Sequence, residues 1–146
     1  MGKISSTFIS NHRHCDELFY RSEEYVQQHD WSQAKEMLTK FVGEMESHFS
    51  KEESVLFPAL EARAANALGP TQVMRMEHED MRQLMADMQS DVEGQNAEHY
   101  LGLSETMLIM MQQHNTKEEN ILYPMADNVL ADDQEEILAR TFALEK

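Results

Sequence analysis

The stretch H-F-S-K-E-E-S-V-L-F-P, from His48 to Pro58, returns as H-N-T-K-E-E-N-I-L-Y-P from His114 to Pro124. His, Lys, both Glu, Leu and Pro coincide, and an aromatic residue precedes each Pro. Neither copy alternates polar and apolar residues with the period of a strand. Each sets a His and a Glu four residues apart, which puts the two side chains on one helix face, about 6 Å apart along the axis. The repeat therefore predicts two related helical hairpins.

Breakers and caps outward from the repeat divide the chain into helices. A first segment spans about Ser6 to His29. Asp30 is placed to cap a second from Trp31 to about Ala65, with Gln33 in the capping-box position. Gly69-Pro70-Thr71 is read as the boundary before a third, which runs to Glu93. Gly94-Gln95-Asn96 is a turn, the fourth helix reaches about Asn128, and Asp132 is placed to cap a short last helix ending near Leu144. Short connections make consecutive helices antiparallel. The expected fold is all-α: an up-down-up-down four-helix bundle with a short extra C-terminal helix, in one domain spanning residues 1–146.

The apolar positions form seams at steps of three and four. The second helix offers Trp31, Ala34, Leu38, Phe41, Met45, His48, Glu52, Val55 and Ala59. The third offers Met74, His78, Met81, Met85, Met88 and Val92. The fourth offers Leu103, Met107, Met110, His114, Glu118, Ile121 and Met125. In the first helix His14, Leu18 and Tyr25 share a face, with Cys15, Phe19 and Val26 beside it.

Composition narrows the chemistry. The 146 residues include 27 Asp plus Glu against 12 Lys plus Arg, a formal charge of −15, which argues against nucleic acid or an anionic membrane as partner. One Cys excludes a disulfide framework and a thiolate-rich zinc site. No apolar run suggests a signal peptide or a membrane span, so a cytoplasmic protein is expected.

Polar residues interrupt the seams where packing alone would place Leu or Met. An unpaired buried carboxylate costs several kcal/mol, so several such residues in one core need a common explanation. Residues of an antiparallel hairpin lie level when their numbers centre on the turn. His14 and His48 centre beside Asp30, His78 and His114 on the Gly94–Asn96 turn, and Glu52 and His78 just before the Asn66–Gly69 connection. Four imidazoles and two carboxylates would then share one layer. Two metal ions fit this set, one on His14 and His48 and the other on His78 and His114, with Glu52 and Glu118 each able to bridge through two oxygens. A single zinc would use four ligands and strand two. Two irons are the first choice, with manganese or zinc as alternatives. The Glu-x-x-His pairs of ferritin-like proteins are missing, because Met45, Arg75 and Met111 stand three residues before the histidines. H-E-x-x-H, a phosphate loop and G-x-S-x-G are also missing.

These residues resemble the hemerythrin-like (HHE cation-binding) domain family. The resemblance covers nearly the whole chain and rests on His14 with Cys-Asp-Glu-Leu-Phe after it, on both repeat blocks, and on E-H-E-D-M-R around His78. It implies a four-helix bundle holding an oxo- or hydroxo-bridged di-iron centre on His14, His48, Glu52, His78, His114 and Glu118. Oxygen carriers of this family have His-x-x-x-His in the third helix, where this chain has Arg82. They also place an Asp five residues after the last His, where Glu118 follows His114 by four. Four His and two Glu look more like the branch of iron-centre repair, nitric-oxide-response and iron-sensing members. The implied function is binding of, or reaction with, O2, NO or peroxide in oxidative or nitrosative stress, or iron handling. The alternatives are an iron sensor or metal-dependent interaction module without turnover, and an O2 carrier. No catalytic residue is assigned, and an enzymatic role would take the form of low-turnover peroxide or NO chemistry.

Around the ions, Leu18, Met45, Met81, Arg82, Met110 and Tyr123 are expected as pocket residues, the methionines first as packing. His12 is turned about 200° from His14 and is expected to face solvent or a helix edge. Glu53 and Glu119 point about 100° away from the bridging pair and are expected to be solvated or to support the ligands. Pro58 and Pro124 each remove a helix hydrogen bond, to the carbonyls of Ser54 and Asn120.

Overall fold

The computed structural model describes residues 2–145. Four long helices carry the fold: α1 (Lys3–Gln27), α2 (Trp31–Lys51), α4 (Leu68–Glu93) and α5 (Ala97–Lys117). Shorter helices α3 (Phe57–Arg63), α6 (Tyr123–Val129) and α7 (Gln134–Ala143) complete it, and no strand occurs among the described residues. α1 packs on α2 and α4 on α5, while α2 against α4 and α1 against α5 close the four-helix ring. α7 lies across α1 and the Glu52–Leu56 turn that follows α2, burying Ile137, Leu138 and Thr141.

The two hairpin turns are built alike. After α1 the Asp30 N–H reaches the Tyr25 carbonyl at 2.9 Å, and after α4 the Asn96 N–H reaches Asp91 at 2.8 Å. These six-residue closures need a left-handed residue, and His29 (φ 57°) and Gln95 (φ 54°) supply it, rather than the adjacent Gly94. Asp30 then caps α2 by accepting from the Gln33 N–H, and Asn96 caps α5 by accepting from His99. α1 takes its cap from across the bundle: Asp127 accepts from the backbone N–H groups of Gly2 and Ser5, both at 3.1 Å. Any side chain at Gly2 would collide with that carboxylate.

Two boundaries differ from the sequence expectation. The second hairpin connection breaks at Ala64, which is extended, and α4 already begins at Leu68. Gly69 and Pro70 lie inside its first turn, where a missing N–H costs nothing because the first four have no partner in the helix. Asp132 sits in a 3-10 turn (Ala131–Asp133) and does not cap α7; Asp133 precedes that helix, bonds to Arg63, and makes no side-chain cap either.

Each proline of the repeat produces a π turn, at Glu52–Leu56 before α3 and at Glu118–Leu122 before α6. Without an N–H, Pro58 and Pro124 leave the α pattern open. The preceding residue closes it one position wider: Phe57 N–H bonds to the Glu52 carbonyl, and Tyr123 N–H to the Glu118 carbonyl. The extra residue rotates the buried face. Ile121 and Met125, expected on the seam, are exposed and half-buried, while Leu122 and Ala126 are buried. In the first copy Leu60 is buried and Ala59 only partly so.

The core is split in two. One apolar cluster runs from Cys15, Phe19 and Phe41 through Met81, Met85 and Met88 to Tyr100 and Met107, toward the 29 and 95 turns. The other gathers Ile4, Phe8, Leu56, Phe57, Leu60, Met74, Leu122 and Ala126 at the opposite end. Each fully buried side chain of this size contributes roughly 1.5–3 kcal/mol. Between the clusters lies a single polar layer of buried His12, His48, Glu52, His78, His114 and Glu118.

Candidate metal centre

Each long helix supplies one histidine to the layer and each π turn one glutamate, at the level where the two apolar clusters meet. Five of the six residues expected there are in it. The sixth is not: His14 is exposed, and His12 takes the place. The physical reason is the register of α1. Ile4, Phe8, His12, Cys15, Phe19, Ser22 and Val26 step by four and three along its buried stripe, and His14 falls on the opposite side. The expectation for His12, a solvent-facing residue, is corrected with it.

The donors form two groups. His12, His48 and Glu118 offer atoms mutually within 4.8 Å, as do Glu52, His78, His114 and Glu118. The first group will be called the His12 pole and the second the His78 pole. Paired rings lie 4.7 Å apart (His12 and His48) and 5.0 Å apart (His78 and His114). Both carboxylates are fully buried. Glu118 Oε1 lies 2.9 Å from His12 Nε2 and 3.3 Å from His114 Nε2, so it spans both poles. Glu52 Oε1 lies 3.1 Å from His78 Nε2 and 3.5 Å from His48 Nε2 and does the same.

The imidazoles are held from outside. Nδ1 of His12 meets Glu119 at 2.8 Å, that of His78 meets Glu53 at 2.7 Å, and that of His114 meets Glu77 at 2.8 Å. A carboxylate can only accept, so in each pair Nδ1–H donates and Nε2 is left to face the interior. His48 donates to the amide oxygen of Asn11 at 3.2 Å. All four Nε2 atoms therefore converge. This outward anchoring fixes tautomer and ring direction, as it does in metal-binding histidines. Glu53 and Glu119 prove to be such anchors; Glu77 and Asn11 lay outside the sequence reading.

Arg82, beside the His78 pole, is aimed away from the polar layer. It donates to Glu46 at 2.9 Å and to both oxygens of Glu53 at 3.0 and 3.1 Å, and pairs with Glu79. Its guanidinium covers the Phe49 ring, which stacks on His78 with centroids 3.9 Å apart. Arg82 thus braces the anchor and the ring of His78. Of the other expected pocket residues, Leu18, Met45 and Met81 are buried in the apolar cluster. Met110 is only partly buried, and Met111 fills the core position in its stead. Cys15 is buried in the same cluster, and burial pushes its thiol up to about 12, with the charges of Glu44 and Asp16 adding to the effect. It is inert at neutral pH.

Tyr123 is more central than a residue of the pocket wall. Its hydroxyl lies 2.7 Å from Glu52 Oε2, 2.9 Å from Glu118 Oε1, 3.0 Å from His12 Nε2 and 3.2 Å from His48 Nε2. The π turn puts it there: residues five apart on an α-helix are turned about 140° from each other, whereas a π turn closes over five. Its repeat partner Phe57 reaches across in the same way and lies against His78, with ring centroids 5.9 Å apart.

Electrostatics follow from burying two carboxylates among four imidazoles. Burial pulls the His48 imidazolium down, but the Glu52 charge and hydrogen bonds to Glu118 and Glu52 outweigh it and lift its pKa to about 9. His114 reaches about 9 against the same burial cost, lifted by Glu118. His78 is raised too, by Glu52 and Glu53 against burial. Burial pushes the Glu118 carboxyl up, but His114 and the hydrogen bonds it receives hold it well below its ordinary range. Burial, with the charges of Glu118 and Glu52, raises Tyr123 well above the ordinary phenol range.

Four buried atoms of the layer still lack a hydrogen bond: Glu52 Oε1, His78 Nε2, His114 Nε2 and Glu118 Oε2. An orphaned buried donor or acceptor costs about 1–3 kcal/mol. Imidazole nitrogens and carboxylate oxygens left unpaired and facing one another are the donor set of a metal pair, so the residues fit a cation centre.

Iron-sulfur cluster repair protein YtfE of Citrobacter koseri is 30% identical over 99 residues, 61% of this chain and 44% of that protein. The protein of the same name from an Enterobacter species matches with the same identity and coverage. The chain thus spans less than half the length of the curated relatives it matches, and no solved structure is a significant match. No helix among the described residues is long and apolar enough to cross a membrane. Residues 3–126 match the hemerythrin HHE cation binding domain, and that span, which contains the whole polar layer, establishes that the chain belongs to this family.

Proposed function

We infer that the domain binds two iron ions and uses them in a response to oxidative or nitrosative stress, in the manner suggested by its relatives' name, iron-sulfur cluster repair. The observation that carries this reading is the convergence of four Nε2 atoms, each anchored at Nδ1, on two fully buried carboxylates. His12 and His48 would hold one ion and His78 and His114 the other, with Glu52 and Glu118 bridging. Manganese and zinc are the alternatives for the same donors, but zinc would supply no redox chemistry. Bound iron would supply reversible one-electron chemistry and positions at which O2, NO or peroxide can bind.

The chain's own part is to hold the ligands and keep water out. The outer partners, three carboxylates and the Asn11 amide oxygen, keep each Nδ1 protonated, which directs Nε2 inward as the metal donor. The apolar clusters on both sides supply dry walls, which strengthen electrostatic interactions within the layer. Arg82 occupies the position where oxygen carriers have a further histidine, and its engagement with Glu46, Glu53 and Glu79 leaves the His78 pole one imidazole short. That favours a reactive or exchangeable site over reversible O2 carriage.

Anaerobic reconstitution with Fe(II), metal counting, and absorption spectra on adding O2 or NO test the reading. About two irons per chain are expected, with Glu118→Ala losing both, because Glu118 belongs to both donor groups. Zero or one iron in the wild type would overturn it, and clean cycles of oxygenation and deoxygenation would favour a carrier.

A further inference from the structure

Resting on the metal-binding reading above, we propose that Tyr123 is itself a metal ligand, coordinating the ion of the His12 pole through its phenolate oxygen.

The geometry is that of a donor, not a wall residue. A hydroxyl has one proton to give and two lone pairs. The Tyr123 oxygen has four polar neighbours within 3.2 Å, and two of them are acceptor-only carboxylate oxygens. Its single proton satisfies one carboxylate and leaves the other against an oxygen lone pair. The His12 imidazole beside it already spends its Nδ1–H on Glu119, so its inward lone pair faces the same oxygen. A cation among these atoms removes every such conflict at once. The phenol O–H bond breaks as the oxygen–metal bond forms, the proton leaves to solvent, and no electron is transferred. Phenolate is a hard oxygen donor, matched to iron in its ferric state.

The backbone fixes this placement. The Tyr123 N–H is tied to the Glu118 carbonyl through the π turn, and the ring is wedged between Phe8 (5.3 Å) and His12 (5.5 Å). The other pole has no counterpart, because Phe57 carries no donor. The two ions are therefore inequivalent: the His12 pole has an extra protein oxygen, and the His78 pole has the open position for an exogenous ligand. Of the chain's four tyrosines, Tyr20 is half exposed, Tyr25 partly buried, and Tyr100 is bonded to Ser22 far along the bundle, so any tyrosinate signal reports on Tyr123.

The test is resonance Raman spectroscopy of the iron-loaded, air-oxidised full chain, excited in its visible absorption band. Tyrosinate ring vibrations that shift when the protein is made with ring-deuterated tyrosine are expected, and Tyr123→Phe should abolish them while two irons remain bound. Two bound ferric ions without isotope-sensitive tyrosinate modes in the wild type would overturn the proposal, as would their persistence in Tyr123→Phe. Failure of the metal-binding reading is distinct, since it would leave no iron to examine.

Discussion

The two poles of the centre are copies of one pattern with three differences. Each takes one imidazole from a repeat block, one from a helix outside the blocks, and the aromatic residue that follows the opposite block's π turn. The His12 pole receives a hydroxyl from Tyr123, whereas the His78 pole receives the bare ring of Phe57. The outer anchor of His48 is a neutral amide, whereas the three other imidazoles have carboxylates. Only the His78 pole is braced by an arginine. Duplicated ligands built a symmetric cage, and single residues around it then made its halves chemically unequal.

The comparison stands or falls first on His12. His12→Ala is expected to lose the ion of its own pole and leave about one iron per chain, while His14→Ala keeps both. Metal analysis after reconstitution and gel filtration decides it. Two irons in His12→Ala, or a loss in His14→Ala, would restore the assignment that the sequence alone suggested.

That assignment went astray for a definite reason. His48, Glu52, His114 and Glu118 were legible because the repeat states them twice, and His78 because its helix carries an unbroken methionine seam. α1 has no second copy. Its buried stripe includes Ser22 and His12 themselves, so the apolar residues that remain leave two candidate faces, and levelling about the Asp30 turn cannot separate residues two apart. The π turns were hidden for another reason. The prolines marked the lost bonds to Ser54 and Asn120 but not whether the helix would kink or widen. Widening moved the seam from Ile121 and Met125 to Leu122 and Ala126, and carried Tyr123 from the wall to the centre.

A second test concerns what the poles share. In the metal-free protein the protons on His48 and His114 neutralise Glu52 and Glu118. Both pKa values lie near 9, above the ordinary 6.5. Their contribution to stability is therefore complete below pH 6.5 and is lost as pH rises through about 9. It amounts to roughly 3 kcal/mol or less per imidazole at 1.36 kcal/mol per unit. Glu53, held at about 2 by His78 and Arg82 against burial, and Glu118, also lowered, act in the opposite sense. Their contribution is present above the ordinary 4.5 and is lost in acid. Metal-free stability should peak between about pH 4.5 and 6.5 and fall steadily to pH 9 in denaturant titrations. The iron-loaded protein should gain stability from pH 6 to 8, because metal displaces these protons. Parallel profiles for the two forms would show that protons and metal do not compete for the same atoms.

The smallest effect separates the anchors. Removing an outer partner of a ligating histidine costs about tenfold to a hundredfold in metal affinity. Glu53 sits at the strong end of that range, since its short bond to His78 is charged and its own position is set by two Arg82 donors. Asn11 is neutral, and its bond to His48 is half an ångström longer. Glu53→Gln keeps the shape and removes the charge, so it should weaken the more weakly held of the two irons by at least tenfold in a chelator competition. Asn11→Ala should weaken iron binding by a smaller factor, because Tyr123, Glu118 and His12 still hold its pole. Equal losses in the two variants would mean that anchor charge does not distinguish the poles, and the inequivalence would then rest on Tyr123 alone.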